Sequence, residues 1–189
     1  MASEFDRHFN EVRALLQANR LYEALGAAVR LTKAHPAITA GHNILGVIHA
    51  SHGDATSAAA SFKKAATLDT RWDEPHTNLG LLFCQQKEFG RAVESFRAAR
   101  ALNPASTAAA LNLGNALREL GHGDEACASY REVLALGGGE QSLAHNNIGA
   151  ILLDQGKIED ACAAFARAVA LRPTLADAQR NLGRALRAL

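Results

Sequence analysis

The feature that most constrains this chain is a spacing. Glycine returns at Gly46, Gly80, Gly114, Gly149 and Gly183, at intervals of 34, 34, 35 and 34 residues. The surroundings return with it, as Ile44-Leu45-Gly46, Asn78-Leu79-Gly80, Asn112-Leu113-Gly114, Asn147-Ile148-Gly149 and Asn181-Leu182-Gly183. Each glycine interrupts an apolar run that otherwise reads as helix, where it costs roughly 1 kcal/mol relative to alanine. A chain that accepts this cost at a fixed period is one supersecondary unit repeated. Such units cannot bury their apolar faces alone and must stack on one another.

Other positions keep step. Twelve residues after each of the first four glycines stands Ala58, Ala92, Ala126 or Ala161, and sixteen after stands Phe62, Phe96, Tyr130 or Phe165. Nineteen after stands Ala65, Ala99, Val133 or Ala168, and a breaker follows at Pro104, Gly138 and Pro173, with Thr70 the exception. A weaker copy lies upstream, with Val12 in place of the glycine, Ala28 in place of the aromatic, and Ala24 and Pro36 in step. Gly53-Asp54, Gly121 and Gly156-Lys157 fall where a tight turn must join two helices. Asp73, ahead of Glu74-Pro75, reads as an N-cap, and Ser142 and Thr174 read as further caps. Three glycines in Gly137-Gly138-Gly139-Glu140 carry the one-residue insertion.

This pattern resembles the tetratricopeptide repeat, a helix–turn–helix unit, over nearly the whole chain. The resemblance implies an all-α fold, a right-handed α-solenoid of helix pairs A and B, with A helices lining the concave wall. We divide the chain into repeats 5–38, 39–72, 73–106, 107–141 and 142–175 and a capping helix 176–189, forming a single array over residues 1–189. In this reading the glycine of helix A admits a close crossing of helix B with the matching alanine opposite. The aromatic then fills the gap toward the next repeat. At the ends, Phe5, Phe9, Val12 and Leu16 form one capping stripe and Leu182, Leu186 and Leu189 another. Either the last helix is a natural cap or a longer protein continues beyond it.

Function is expected on the concave wall. Asn78, Asn112, Asn147 and Asn181 share one position, two residues before the glycine, with Ile44 breaking the series. Asparagine is a poor helix former, so its recurrence in mid-helix needs a reason. Its carboxamide donates and accepts, which suits the backbone of an extended peptide. The repeats of O-linked N-acetylglucosamine transferases are similar, and by that resemblance these residues form a ladder that clamps a peptide. The alternative is that they bond neighbouring helices. Asn43, Asn115, Arg118 and Asn146 hold further groove positions, and Arg180 and Arg184 close an arginine-rich end suited to an acidic ligand segment. The reading weighed against it, and favoured, is that those arginines form a capping face in solvent. The lysine-containing clamp with which some relatives grip chaperone C-termini is absent.

Composition narrows the rest. Lys plus Arg number 20 and Asp plus Glu 19, so no basic surplus marks a nucleic-acid binder. No apolar run approaches the ~20 residues of a membrane span, and the N-terminal stretch lacks the apolar segment of a leader. Cys84, Cys127 and Cys162 are too few and too separated for a disulfide framework, which points to a reducing, cytoplasmic setting. His42, His76 and His145 share a packing position, and His49 with His52 lacks a third ligand, so neither metal nor cofactor is expected. No catalytic motif is recognisable. The expectation is a non-catalytic interaction scaffold that binds an extended or helical peptide segment. Two alternatives are a substrate-recruiting arm of a larger glycosyl- or sulfotransferase and a self-assembling array.

Overall fold

The computed structural model describes residues 3–189, so Met1 and Ala2 of the N-terminal stretch lie outside it. Among the described residues there are eleven helices and no strand. They are α1 (Glu4–Gln17), α2 (Leu21–Ala34), α3 (Thr39–Ser51), α4 (Ala55–Leu68), α5 (Glu74–Gln85), α6 (Phe89–Leu102), α7 (Thr107–Glu119), α8 (Gly123–Leu136), α9 (Gln141–Asp154), α10 (Ile158–Leu171) and α11 (Ala176–Leu186). This is an all-α helical repeat solenoid. The helices gather into two compact units, one ending at Glu88 and holding α1 to α5, the other running Phe89–Leu189 and holding α6 to α11.

Within each unit, every helix packs against the next in sequence. The turns that reverse the chain place one residue in the left-handed region, at Asn19, Gly53, Lys87, Gly121 and Gly156. Gly53 shows why glycine suits that place: at φ of 77° a side chain would be strained. Asn19 and Lys87 accept the same conformation with a side chain attached.

The repeated glycines answer to a ring. A Cβ built on Gly46 would lie 2.6 Å from the Phe62 ring, one on Gly114 2.5 Å from Tyr130, and one on Gly149 2.8 Å from Phe165. Within these repeats the aromatic of helix B packs against the bare backbone of helix A. The sequence reading placed the alanine there and sent the aromatic toward the next repeat. The correction is one helical turn. Ala58 and Phe62 share a stripe four residues apart, and the larger side chain needs the missing Cβ. Ala58, Ala126 and Ala161 are fully buried beside these rings.

The first repeat inverts the volumes. Val12 stands where the glycine would be and Ala28 where the ring would be, and both are fully buried in one cluster with Ala24, Leu31 and Ile48. Bulk has moved from helix B to helix A.

Capping follows local chemistry. Ser3 and Asp6 form a reciprocal capping box at α1, with the Asp6 N–H donating to Ser3 Oγ over 3.1 Å and the Ser3 N–H to Asp6 Oδ2 over 3.0 Å. Asp54 and Ser106 cap α4 and α7. Asp73 holds the N-cap position of α5 without a capping bond from its side chain. Ser142 is buried inside α9 and Leu175, not Thr174, precedes α11, so neither of those expected caps forms. The insertion is tied down from both sides. The Arg172 guanidinium donates to the Gly139 carbonyl over 2.8 Å, and the Thr107 hydroxyl donates to Glu140 over 3.0 Å.

Candidate protein-interaction face

The asparagines are engaged with one another. In the first unit, Asn78 Nδ2 on α5 donates to Asn43 Oδ1 on α3 over 3.0 Å, and Asn43 Nδ2 donates to Glu74 Oε1 over 3.0 Å. In the second unit, Asn181 Nδ2 on α11 donates to Asn146 Oδ1 on α9 over 3.0 Å. Asn146 Nδ2 donates to Asn147 Oδ1 over 3.3 Å, and Asn147 Nδ2 donates to Asn115 Oδ1 on α7 over 2.8 Å. The Tyr130 hydroxyl closes this network by donating to the same Asn115 oxygen over 2.8 Å. Burial pushes the Tyr130 phenol up to about 12, so it stays a donor throughout the ordinary pH range.

These bonds stitch one A helix to the next. Buried amides must find partners, and asparagine at this position finds the preceding A helix. Asn43 and Asn146, read from the sequence as groove positions, are largely buried, at 5% and 8% exposure, and Asn43 also borders a cavity. The bonds across to Asn78, Glu74 and Asn181 hold them there. Asn78, Asn147 and Asn181 are half-buried with one amide hydrogen committed. Asn112 is half-buried and makes no such bond among the described residues.

The charged candidates lie elsewhere. Arg118 sits 3.5 Å from Glu119 and borders a cavity of 330 Å³ with Asp124, Asp154 and Gln155. Arg180 is ion-paired with Asp177 on its own helix, and Arg184 is exposed.

A cavity of 620 Å³ lies in the first unit, between α1 and α3. Phe9, Arg13, Leu16 and Gln17 come from one face of α1, at spacings of four, three and one. Ala40, Asn43, Ile44 and Val47 come from one face of α3. Trp72 and Glu74, at the entry to α5, close one end. A second cavity of 220 Å³ adjoins it between α3 and α5, sharing Val47 and adding Leu81. Val47 and Leu81 are 38% and 40% exposed, and each follows its repeat's glycine by one residue.

Sequence comparison places these features. Residues 9–74 and 77–141 match a tetratricopeptide repeat family profile, and residues 149–189 match a second profile of the same repeat. The chain belongs to the tetratricopeptide repeat family.

No curated protein sequence matches it. Solved structures do. A crystal structure of MamA is 22% identical with a TM-score of 0.79, covering 92% of this chain and 96% of that one. MamA from Desulfovibrio magneticus RS-1 is 18% identical with a TM-score of 0.80, covering 93% and 99%. YrrB, described as a tetratricopeptide protein with an unusual peptide-binding site, is 20% identical with a TM-score of 0.74, covering 92% and 89%. At these identities the likeness is one of fold.

For a tetratricopeptide protein, the binding surface to consider is a face of A helices. Reading the sequence for that face assigned Phe9 and Leu16 to an end cap and left Arg13 and Trp72 aside. The available signal was the break in the asparagine series. Ile44 occupies the position from which Asn78 reaches the preceding A helix, and an aliphatic side chain offers no such bond. Among the described residues no side-chain hydrogen bond joins α3 to α1, and the cavity opens there. Among the described residues no cluster of three metal-ligating side chains occurs, and no helix is long and apolar enough to cross a membrane.

Proposed function

We propose that this chain is a non-catalytic interaction scaffold that binds a segment of a protein partner, extended or helical, on the face formed by its A helices. The observation that carries the reading is the pair Val47 and Leu81. Both are large aliphatic side chains held open to solvent at equivalent repeat positions, lining two adjoining cavities in one unit. Apolar side chains presented in a concavity are what a docking segment buries. In the second unit, half-buried Asn112 and exposed Arg184 are separate candidates for contact with a partner. Cys127 and Cys162 are held in no disulfide, which suits a cytoplasmic location.

The test is selection of binders from a phage-displayed library of random peptides against the intact chain. Affinities of the enriched peptides are then measured for Val47→Asp, Leu81→Asp and Asn112→Ala, with Arg131→Glu on the outer face of α8 as control. The reading predicts a loss of about tenfold or more for at least one A-helix variant, as expected of an apolar anchor, and no change for the control. Failure to enrich any peptide, or a loss confined to Arg131→Glu, contradicts it.

A further inference from the structure

We infer that the outer face of α11, around Gly183 and Leu186, receives one helix of a partner protein that carries a phenylalanine and an acidic first turn. The two together form a helical hairpin like that of α7 with α8. This surface is distinct from the face of Val47 and Leu81, and the inference does not rest on that face binding anything.

The first observation is a duplicated sequence. Residues 112–120 read NLGNALREL and residues 181–189 read NLGRALRAL, identical at seven of nine positions. On α7 this sequence is covered. The helix packs against α8, and a Cβ on Gly114 would lie 2.5 Å from the Tyr130 ring. Leu117 is 2% exposed there. On α11 the same residues are bare. The nearest group to a Cβ on Gly183 is the flexible end of Arg187 at 3.9 Å, and Leu186, the counterpart of Leu117, is 56% exposed. Ala116 and its counterpart Ala185 are both buried, and Ala185 packs with Ala161 and Phe165. So α11 is seated on its predecessors as α7 is, and the other side is open.

The second observation says what covers such a face. Gly46, Gly114 and Gly149 each meet an aromatic ring of the following helix, within 2.8 Å of a built Cβ. The Tyr130 hydroxyl donates to Asn115, but α11 has Arg184 at that position, and a guanidinium offers no acceptor. A ring without a hydroxyl, as in Phe62 and Phe165, therefore suits α11.

The third is charge. Arg184 and Arg187 are exposed and in no ion pair among the described residues, whereas Arg180 is held by Asp177. Arg118, the counterpart of Arg187, borders a cavity together with Asp124 from the first turn of α8. An acid in the first turn of the incoming helix meets Arg187 and its own helix dipole at once. A second copy of this chain fits poorly. Its own helix-B rings, Phe62, Phe96, Tyr130 and Phe165, are at most 2% exposed. Two α11 faces brought together would set their arginines against each other.

The probe is a synthetic peptide of residues 120–137 with Tyr130→Phe. A lactam between Ala128→Lys and Glu132, one turn apart and off the ring's stripe, holds it helical, since a free helix of this length is marginal. It is expected to bind the intact chain saturably, with backbone NMR shifts centred on Gly183, Leu186 and Leu189. Leu186→Asp weakens it by about tenfold or more. Gly183→Ala does the same while leaving the fold intact by circular dichroism, because the new Cβ takes the place of the ring. An alanine at the phenylalanine position of the peptide removes binding, and Val47→Asp and Leu81→Asp in the chain change nothing. Absence of saturable binding, shifts centred elsewhere, or indifference to Gly183→Ala overturns the inference and leaves the first-unit reading standing. Self-association in light scattering that Leu186→Asp abolishes would assign the face to a second copy and overturn it as well.

Discussion

The missing Cβ at Gly46, Gly114 and Gly149 decides how helix A packs on the ring of helix B in those repeats. At Gly114 it would stand 2.5 Å from the Tyr130 ring, and at Gly183 its nearest neighbour would be the Arg187 guanidinium at 3.9 Å. The same Asn-Leu-Gly sequence therefore responds to substitution with opposite signs. Gly114→Ala gains helix propensity of roughly 1 kcal/mol but overpacks a core contact, at a cost of about 1–3 kcal/mol, and is expected to lower the urea midpoint. Gly183→Ala gains propensity with room to spare and is expected to raise or preserve it. Equal shifts in the two would contradict the ring-on-glycine account. The sequence showed where the glycines and rings lie but misplaced their contact by one turn. Spacing along a helix is visible in a sequence, whereas the choice between two residues on one stripe is settled by volume. The asparagines show the same limit. Asn78 reaches a residue three before the preceding glycine, and Asn147 reaches one just after it. No repeat alignment distinguishes those partners, because they depend on how neighbouring A helices cross.

At the scale of the element, α9 joins the polar network to a titrating group. Burial lowers the His145 imidazole below its ordinary 6.5, and the nearby Arg167 charge lowers it further. The fold thus favours neutral His145, while the unfolded chain takes up the proton first as pH falls. Its contribution is complete above about pH 6.5, declines as pH falls through that value, and is gone below the depressed value of the folded state. His76 on α5 is lowered in the same direction, chiefly by burial. The urea midpoint is therefore expected to drop between pH 8 and pH 5.5, and His145→Gln is expected to reduce that drop. A midpoint independent of pH, or a drop untouched by the substitution, would contradict the burial argument. From sequence, His42, His76 and His145 read as one packing position; which of them are desolvated enough to titrate abnormally required the surrounding helices.

At the scale of the whole molecule, the repeat period made the helix pairs and the family legible, because eleven helices at a fixed interval leave little freedom of fold class. The cavity between α1 and α3 was less legible, since its lining from Phe9 to Glu74 carries no repeated motif. With 20 basic and 19 acidic residues, the chain has no net charge large enough to steer a highly charged ligand, in keeping with the proposed recognition by local apolar contact. The central proposal is that a partner segment docks on the A-helix face of the first unit, where Val47 and Leu81 stand open to solvent. Backbone NMR chemical-shift mapping of the intact chain with an enriched peptide tests this most directly. The account predicts that the shifts concentrate at Arg13, Gln17, Ile44, Val47 and Trp72. Shifts centred on the B helices α2 and α4, or on the amide-bridged seam between α9 and α11, would contradict it.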